Sequence, residues 1–228
     1  STWNPTGKTT QNMAGEQVAT TTYFNRVVSS SVCPASTSGN VMITAYPVLA
    51  GYQIAVDAAG HDTILTGTTP AKIKGATITG GTNAYTYSWA VSTDGVSYSD
   101  LGISTADYQP GALTTTTWFR RTVISGPCSE ISIQRITVLQ PISSNTISGN
   151  QYICSSETPA SIQGSAPSGG DGSYKFLWQM RDALNNVWSA ATGTNNSGTY
   201  YPSLLSRDTE FRRIVTSGEN KCCVDTSL

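Results

Sequence analysis

Hydrophobic and polar residues alternate with a period of two along several stretches of the chain. Tyr85, Tyr87, Trp89 and Val91 alternate with small or polar residues, and residues 174–180 repeat this arrangement. A period of two is typical of a β-strand that buries one face. The pattern therefore predicts a chain built of strands, with no long helix.

Two segments of the chain recur. Residues 22–33 reappear at 117–128 and again at 209–222, each with an aromatic residue and an arginine in the same order. Residues 70–89 reappear at 159–178. These spacings define a repeat of roughly 90–95 residues, which is the size of an immunoglobulin-like sandwich.

The phase of the repeats predicts three units. Residues 1–47 correspond to the C-terminal half of a repeat, 48–141 to a complete repeat, and 142–228 to a repeat that lacks its last strand. Short proline-containing linkers, at 45–48 and 140–143, join the units and are semi-rigid. We therefore expect an all-β fold of tandem immunoglobulin-like β-sandwich domains in an extended array, and a chain that is a slice of a longer array.

The repeated positions supply a predicted core. The tryptophans lie mid-strand among alternating aromatic residues, and each arginine shares a strand face with apolar neighbours. A charge on an apolar face needs a partner or a path to water, so we expect each of these arginines to snorkel or to stack on an aromatic ring. The predicted structural core comprises Trp89, Trp178, Phe24, Phe119, Phe211, Arg26, Arg121 and Arg213.

A second aromatic position follows the predicted hairpin in each copy, at Trp3, Tyr98 and Trp188. Such a side chain either packs over the rim of a sheet or stacks on a sugar face. The sequence leaves both interpretations open, because partly exposed aromatic residues are ordinary.

Cysteine placement indicates a disulfide in the third unit. A bridge from Cys154 to Cys222, or alternatively to Cys223, would close almost the whole unit and contribute about 4 kcal/mol. Leu65 stands where the second unit would need a matching cysteine, so Cys128 lacks a predicted partner. A bridge of this kind is typical of an oxidising compartment.

Composition and charge exclude several functions. Thr and Ser number 33 and 29, while Asp, Glu, Lys and Arg make only 12% of the residues. Net charge is -1 with no basic stripe, which argues against nucleic-acid binding. No apolar run approaches the ~20 residues of a membrane span.

Catalytic and metal chemistry find little support in the sequence. His61 is the one histidine, and the chain holds no nucleophile elbow. Asp57, Asp62 and Asp171 do not form a loop of alternating oxygen ligands. We therefore predict no enzymatic activity, no metal and no cofactor.

The third unit resembles a known repeat type. Cys154, residues 169–172, Trp178, Tyr201-Pro202 and residues 211–213 are similar to the motifs of immunoglobulin-like repeats in giant cell-surface adhesins of gliding Bacteroidetes, the SprB type. The second unit departs from this pattern at Leu65 and at residues 82–83.

The resemblance implies export by the type IX secretion system and display as a filament outside the outer membrane. It implies as partners the neighbouring repeats, the gliding and secretion machinery, and surface polysaccharide. Asp62-Thr63-Ile64 is similar to the O-glycosylation motif of these bacteria, which marks Thr63 as a candidate site.

The leading hypothesis is a structural repeat segment of a secreted, surface-displayed adhesin filament involved in adhesion and gliding motility. One alternative is a set of carbohydrate-binding or accessory immunoglobulin-like modules of a large secreted enzyme. Another is a polymer whose subunits exchange strands.

Overall fold

A computed structural model describes residues 2–15, 17–57, 62–218 and 223–227. All regular elements of these residues are β-strands, so the described residues contain no helix that could cross a membrane.

The strands fall into three units along the chain. The N-terminal segment, residues 2–47, contains β1 (Thr22–Phe24), β2 (Val27–Ser30), β3 (Cys33–Thr37) and β4 (Val41–Ile43). The middle domain, from residue 48, contains β5 (Ile54–Val56), β6 (Thr63–Leu65), β7 (Ile73–Gly75), β8 (Thr86–Ser92), β9 (Ser99–Asp100), β10 (Thr117–Ser125) and β11 (Cys128–Ser143). The third domain contains β12 (Ile147–Ser148), β13 (Ile162–Gly164), β14 (Ser168–Gly170), β15 (Tyr174–Asp182), β16 (Ser189–Ala190), β17 (Thr199–Tyr200), β18 (Thr209–Ser217) and β19 (Cys223–Thr226).

The middle domain is a sandwich of two sheets. The larger sheet runs in the order β11-β10-β8-β9, all antiparallel, and β6 adds in parallel to the far half of β11. The smaller sheet pairs β5 with β7. Ile54, Ile73, Trp89, Phe119 and Ile136 fill the space between the sheets and are all buried.

The third domain repeats this plan. Its larger sheet runs β16-β15-β18-β19, and its smaller sheet runs β12-β13-β17. Trp178 faces Arg213 across β15 and β18, as Trp89 faces Arg121 across β8 and β10. Ile162, Trp178, Ala191 and Tyr200 form its central cluster. The two domains therefore place equivalent residues at equivalent points.

The expected core residues are buried or half-buried in the middle and third domains. Trp89, Trp178, Phe119, Arg121 and Arg213 are buried. In the third domain, Phe211 is half-buried against Tyr200.

The N-terminal segment departs from the expected core. Phe24 is half-buried, and Arg26, expected in the core, is exposed instead. No described residue of the N-terminal segment is buried. Its strands form only two-stranded sheets, β1 with β4 and β2 with β3, so no second sheet covers Arg26.

The expected linker at residues 140–143 is not a separate connection. It is the end of β11, a single strand from Cys128 to Ser143. Pro141 can lie within this strand because the ladder on its far side is irregular between Gln140 and Ser143, and a proline suits a position without a ladder N–H.

Candidate functional site at the domain junction

β11 belongs to both domains. Its first nine residues pair with β10, ending where Ile136 faces Thr117. Residues 137–139 then pair in parallel with β6 of the middle domain. Beyond them, Gln140 and Ser143 pair with β14 of the third domain. One continuous strand therefore joins the sheet of one domain to the edge of the next.

A hydrophobic cluster surrounds this crossing point. Leu139 and Ile142 of β11 are buried against Val215 and Cys223 of the third domain. Leu65, Tyr174 and Phe176 pack around them, so both domains contribute. Full burial of a Leu or Ile side chain stabilises by about 1.5–3 kcal/mol, which makes this contact an apolar core and not a hinge.

Two glycines let the third domain approach the strand. Gly169 and Gly170 both adopt positive φ, and a β-carbon on Gly169 would overlap the carbonyl oxygen of Pro141. Tyr174 fixes the turn by donating its hydroxyl to the carbonyl of Gly169 at 2.8 Å. A side chain at this position would push the third domain away from β11.

An aspartate closes the same turn. The hydroxyl of Ser217 donates to the carboxylate of Asp171 at 2.6 Å, and the backbone N–H of Ser173 donates to it at 2.8 Å. These two hydrogen bonds lower the pKa of Asp171, the bond from Ser217 more strongly. The carboxylate is therefore a structural acceptor.

The middle domain has the same glycine turn, held by a tyrosine, where the N-terminal segment enters it. We call this turn the socket. Tyr85 donates to the carbonyl of Gly80 at 3.0 Å, and the N–H of Gly81 donates to the carbonyl of Pro47 at 2.8 Å. Leu49 is buried beside Gly81 as Ile142 is beside Gly170. Each domain thus presents the same socket to the segment that precedes it, and the junction is part of the repeat.

A buried arginine ties the two sheets of the middle domain together. Arg121 is 1% exposed, and its guanidinium donates to the carbonyls of Ala106 at 2.7 Å and Tyr52 at 2.9 Å. It also lies 5.4 Å from the ring centre of Tyr87. Burial lowers the pKa of Arg121, but an arginine remains protonated at any physiological pH.

Arg213 performs the same task in the third domain. Its guanidinium donates to the side-chain oxygen of Asn145 at 2.9 Å, to the carbonyl of Ser165 at 2.8 Å and to that of Gly198 at 3.1 Å. Burial lowers its pKa as well. Each guanidinium is thus held by carbonyl dipoles from loops that face its strand, and it does not snorkel to solvent.

A glycine makes room for each guanidinium. A β-carbon on Gly75 would overlap the guanidinium of Arg121, and one on Gly164 would overlap that of Arg213. The Pro-x-x-Ile-x-Gly segment carries this glycine in both copies, so the paired recurrence of Gly and Arg is a sequence signal for the contact.

The second aromatic position lies on the outer face of the large sheets. Tyr98 is half-buried, with the guanidinium carbon of Arg120 4.4 Å from its ring centre. Trp188 is half-buried under two guanidiniums, those of Arg181 at 4.7 Å and Arg212 at 4.3 Å. Arginines of the underlying strands thus cover one face of each ring, which favours the interpretation that Tyr98 and Trp188 pack over the sheet. Trp3 is 48% exposed.

The cysteines do not form the expected bridge to Cys223. Cys154 is exposed and carries a free thiol, and its loop pairs with Leu205 just before the start of β18. Cys223 pairs with Ser217 at the opposite end of that strand, about 26 Å along it at 3.3 Å per residue. A disulfide needs its α-carbons within about 7 Å. Cys222, the other predicted partner, lies outside the described residues.

The hairpin cysteines correct the predicted correspondence of Cys222 with Cys128 by one residue. Cys33 is exposed and Cys128 is half-buried, and both are free. Cys128 faces Ser125 at the start of its hairpin, and Cys223 faces Ser217 in the same way. Cys223, and not Cys222, is therefore the structural equivalent of Cys128.

The candidate modification and metal positions are scattered. Thr63 is partly exposed and lies at the start of β6. Asp57 pairs with Lys74 at 2.7 Å. His61 lies outside the described residues. No group of three or more His, Cys, Asp or Glu residues with metal-binding geometry occurs in the part of the chain that the structure describes.

Comparisons with known proteins bear on the fold and the repeat. A family model described as "Domain of unknown function (DUF8696)" matches residues 54–140 and again 143–228. A search of the curated proteins finds no match.

Solved structures resemble more than nine-tenths of the chain at low identity. The three N-terminal domains of the bacteriophage RB49 Highly Immunogenic Outer Capsid protein (Hoc) superpose with a TM-score of 0.58 at 10% identity, covering 94% of this chain and 89% of that one. Domains of titin superpose with a TM-score of 0.52 at 14% identity, covering 91% and 72%. The fold is thus a tandem array of immunoglobulin-like β-sandwiches, as the sequence predicted.

Proposed function

Because the chain belongs to the DUF8696 family and carries two copies of that domain on one shared strand, we propose that it is a stiff structural repeat segment of a surface-displayed filament. Its mechanism is mechanical. Each sandwich is a spacer, and each junction passes tension to the next sandwich without a hinge. The observation that carries the proposal is β11, which pairs with β10 and β6 on one side of the boundary and with β14 on the other.

The strand geometry supports resistance to pulling. Tension along β11 acts parallel to its neighbours β10 and β6, so the ladder hydrogen bonds between them are loaded together. The nine residue pairs between β10 and β11 and the nine between β15 and β18 form the long ladders of the two domains. Arg121 and Arg213 add bonds between opposing loops, which oppose separation of the sheets.

The finer role rests on the resemblance to the gliding adhesins. We assign the segment to a secreted adhesin filament outside the outer membrane, exported by the type IX system, that serves adhesion and gliding motility. Neighbouring repeats of the same polypeptide are its immediate partners, because Pro47–Leu49 enter the middle domain as residues 140–142 enter the third. The low content of charged residues and the high content of Ser and Thr suit the surface of an extracellular repeat array.

Immunolabelling tests this assignment. An antibody raised against the folded chain should label intact, unpermeabilised source cells along extended filaments, and deletion of the parent gene should reduce attachment and spreading on a surface. Labelling that requires permeabilised cells, or unchanged attachment in the deletion strain, would contradict the surface role while leaving the fold and the rigid junction untouched.

A further inference from the structure

β11 leaves one edge of the large sheet open in the middle domain. Residues 128–136 pair with β10 on one side, and on the other side pairing begins only at Thr137, where β11 meets β6. Among the described residues, no strand pairs with this edge from Ser129 to Arg135. The opposite edge of the sheet ends in β9, which is two residues long, and a short edge strand resists further pairing. β11 is therefore the edge at which another strand can add.

The open edge presents its backbone hydrogen-bonding groups outward. Thr137 donates its N–H to the carbonyl of Asp62, just before β6. The backbone groups of successive residues alternate between the two sides of a strand, so the odd-numbered residues of 129–135 face the same side as Thr137. Within the part of the chain that the structure describes, one hydrogen bond reaches these groups, from the side-chain amide of Gln134 to the carbonyl of Arg135 at 2.8 Å. The other donors and acceptors form a template for an added strand.

Apolar side chains project from the same edge. Ile131 and Ile133 lie on the outer face of the sheet and are 51% and 50% exposed, although outward positions of a sandwich are usually polar. An edge strand is commonly protected by a proline, a lysine or a bulge. Residues 128–136 contain neither proline nor lysine, and their register with β10 is regular. The edge therefore lacks the usual devices that prevent pairing.

We propose that this edge of β11 pairs antiparallel with the same edge of a second copy of the chain, about a two-fold axis at Ile131. The odd-numbered residues then form the hydrogen-bonded pairs, as their outward groups require. The contact is isologous, so it closes as a dimer. It adds to the side of β11, whereas the next domain follows the end of that strand, and it does not rest on the proposed surface role.

The side chains of the edge are complementary to themselves in this register. Ile131 faces Ile131 of the second copy, and Ile133 of each copy is the diagonal neighbour of Ile131 of the other. The half-exposed isoleucines of both copies thus form one apolar cluster on the outer face. On the opposite face Glu130 lies opposite Ser132, whose hydroxyl can donate to the carboxylate. A second copy of β11 therefore matches this edge without bringing like charges together.

Two neighbouring positions of the axis are disfavoured. An axis at Glu130 would place two carboxylates opposite each other, which destabilises a strand pair. An axis at Ser132 would bring the hairpin turn at 126–127 of one copy against residues 137–138 of the other, where β6 already pairs. The axis at Ile131 avoids both conflicts.

The pairing also ends at a suitable point. With the axis at Ile131, Arg135 lies opposite Pro127, which has no N–H to donate. The carbonyl of Arg135 already accepts from the side chain of Gln134. The added strand can therefore stop here without leaving that carbonyl unpaired.

Cysteine cross-linking tests the register. In a Cys33→Ser, Cys154→Ser background, in which two exposed thiols are removed, Ile131→Cys should give a disulfide-linked dimer on mild oxidation. The α-carbons of a hydrogen-bonded pair lie about 5.5 Å apart, which suits a disulfide. Peptide mapping should find position 131 joined to position 131. Ile133→Cys is the matched control and should give no such bridge, because Ile133 is 50% exposed but would lie about 13 Å along the strand from its copy.

Sedimentation velocity tests the association without a cross-link. The unmodified chain should show a monomer–dimer equilibrium. Ile131→Asp should lower the association constant by about tenfold or more, because it places two carboxylates opposite each other at the axis. Ile124→Asp is the control and should leave the association constant unchanged, since Ile124 is 46% exposed on the same face but lies on β10, away from the edge.

Three results would overturn the proposal. The first is a chain that stays monomeric up to about 1 mM. The second is a bridge between positions 133 in place of positions 131. The third is an equal loss of association in the two aspartate variants, which would indicate that the sheets pack face to face and do not pair at their edges.

Discussion

The guanidinium of Arg121 occupies the space that a β-carbon on Gly75 would need. Arg121 can donate to Ala106 and Tyr52 across the sandwich only because residue 75 has no side chain. The third domain repeats the relationship between Arg213 and Gly164. The repeat therefore couples one small residue to one buried charge.

Gly75→Ala should destabilise the middle domain by about 3 kcal/mol, because the methyl group displaces a buried guanidinium from its carbonyl partners. Urea denaturation measures the loss. Gly111→Ala is the matched control, since Gly111 meets no atom within 4 Å and does not adopt positive φ. It should change the free energy of unfolding by less than about 1 kcal/mol. Equal effects of the two variants would contradict this account.

Arg213→Met should cost about 3 kcal/mol in the third domain. The substitution keeps an apolar stem but leaves the carbonyls of Ser165 and Gly198 and the amide oxygen of Asn145 without their donor. Arg26→Met, at the equivalent position of the N-terminal segment, should change stability by less than about 0.5 kcal/mol, because Arg26 is exposed. Similar denaturation midpoints for the two variants would show that the hydrogen bonds of buried Arg213 do not stabilise the third domain.

Leu139→Ala should weaken the junction by about 3 kcal/mol, because Leu139 is buried between the two domains. In calorimetry the variant should unfold in two separated transitions, since the domains lose their shared core. Ile133→Ala on the same strand is the control, because Ile133 is 50% exposed. A single unshifted transition in Leu139→Ala would show that Leu139 does not carry the coupling between the two domains.

The turn after β8 predicts a pH dependence. The hydroxyl of Ser92 and the backbone N–H groups of Val96 and Ser97 donate to the carboxylate of Asp94, and they lower its pKa from 3.8 to about 2. A lowered folded pKa stabilises the turn above pH 3.8, and that stabilisation is lost as the pH falls through about 2. An NMR titration of the carboxyl carbon should show the low value, and Ser92→Ala should raise it. A titration near 3.8 in both proteins would contradict the hydrogen-bonded turn.

The sequence predicts the strands and sandwiches well because their signals are local. Alternation at Tyr85–Val91 identifies a half-buried strand, and recurrence identifies the repeat. A proline at 141 favours a linker when the sequence alone is considered. The continuation of β11 past Leu139 depends instead on its pairing with β14, about 30 residues away, which no local pattern shows. The sequence does not reveal the partners of Arg121, because they are backbone carbonyls, which every residue type carries. The sequence spacing aligns Cys222 with Cys128, whereas the strand register aligns Cys223 with it, because the third repeat has three more residues between Ser217 and Cys223 than the second has between Ser125 and Cys128.

We expect the two domains to move as one body, because β11 continues from the sheet of the middle domain to the edge of the third. The rotational diffusion tensors of the domains, from backbone ¹⁵N relaxation of the 228-residue chain, test it most directly. A single anisotropic tensor should fit the amides of residues 62–139 and 143–218 together. Two independent tensors, with reduced order parameters at residues 140–142, would contradict it.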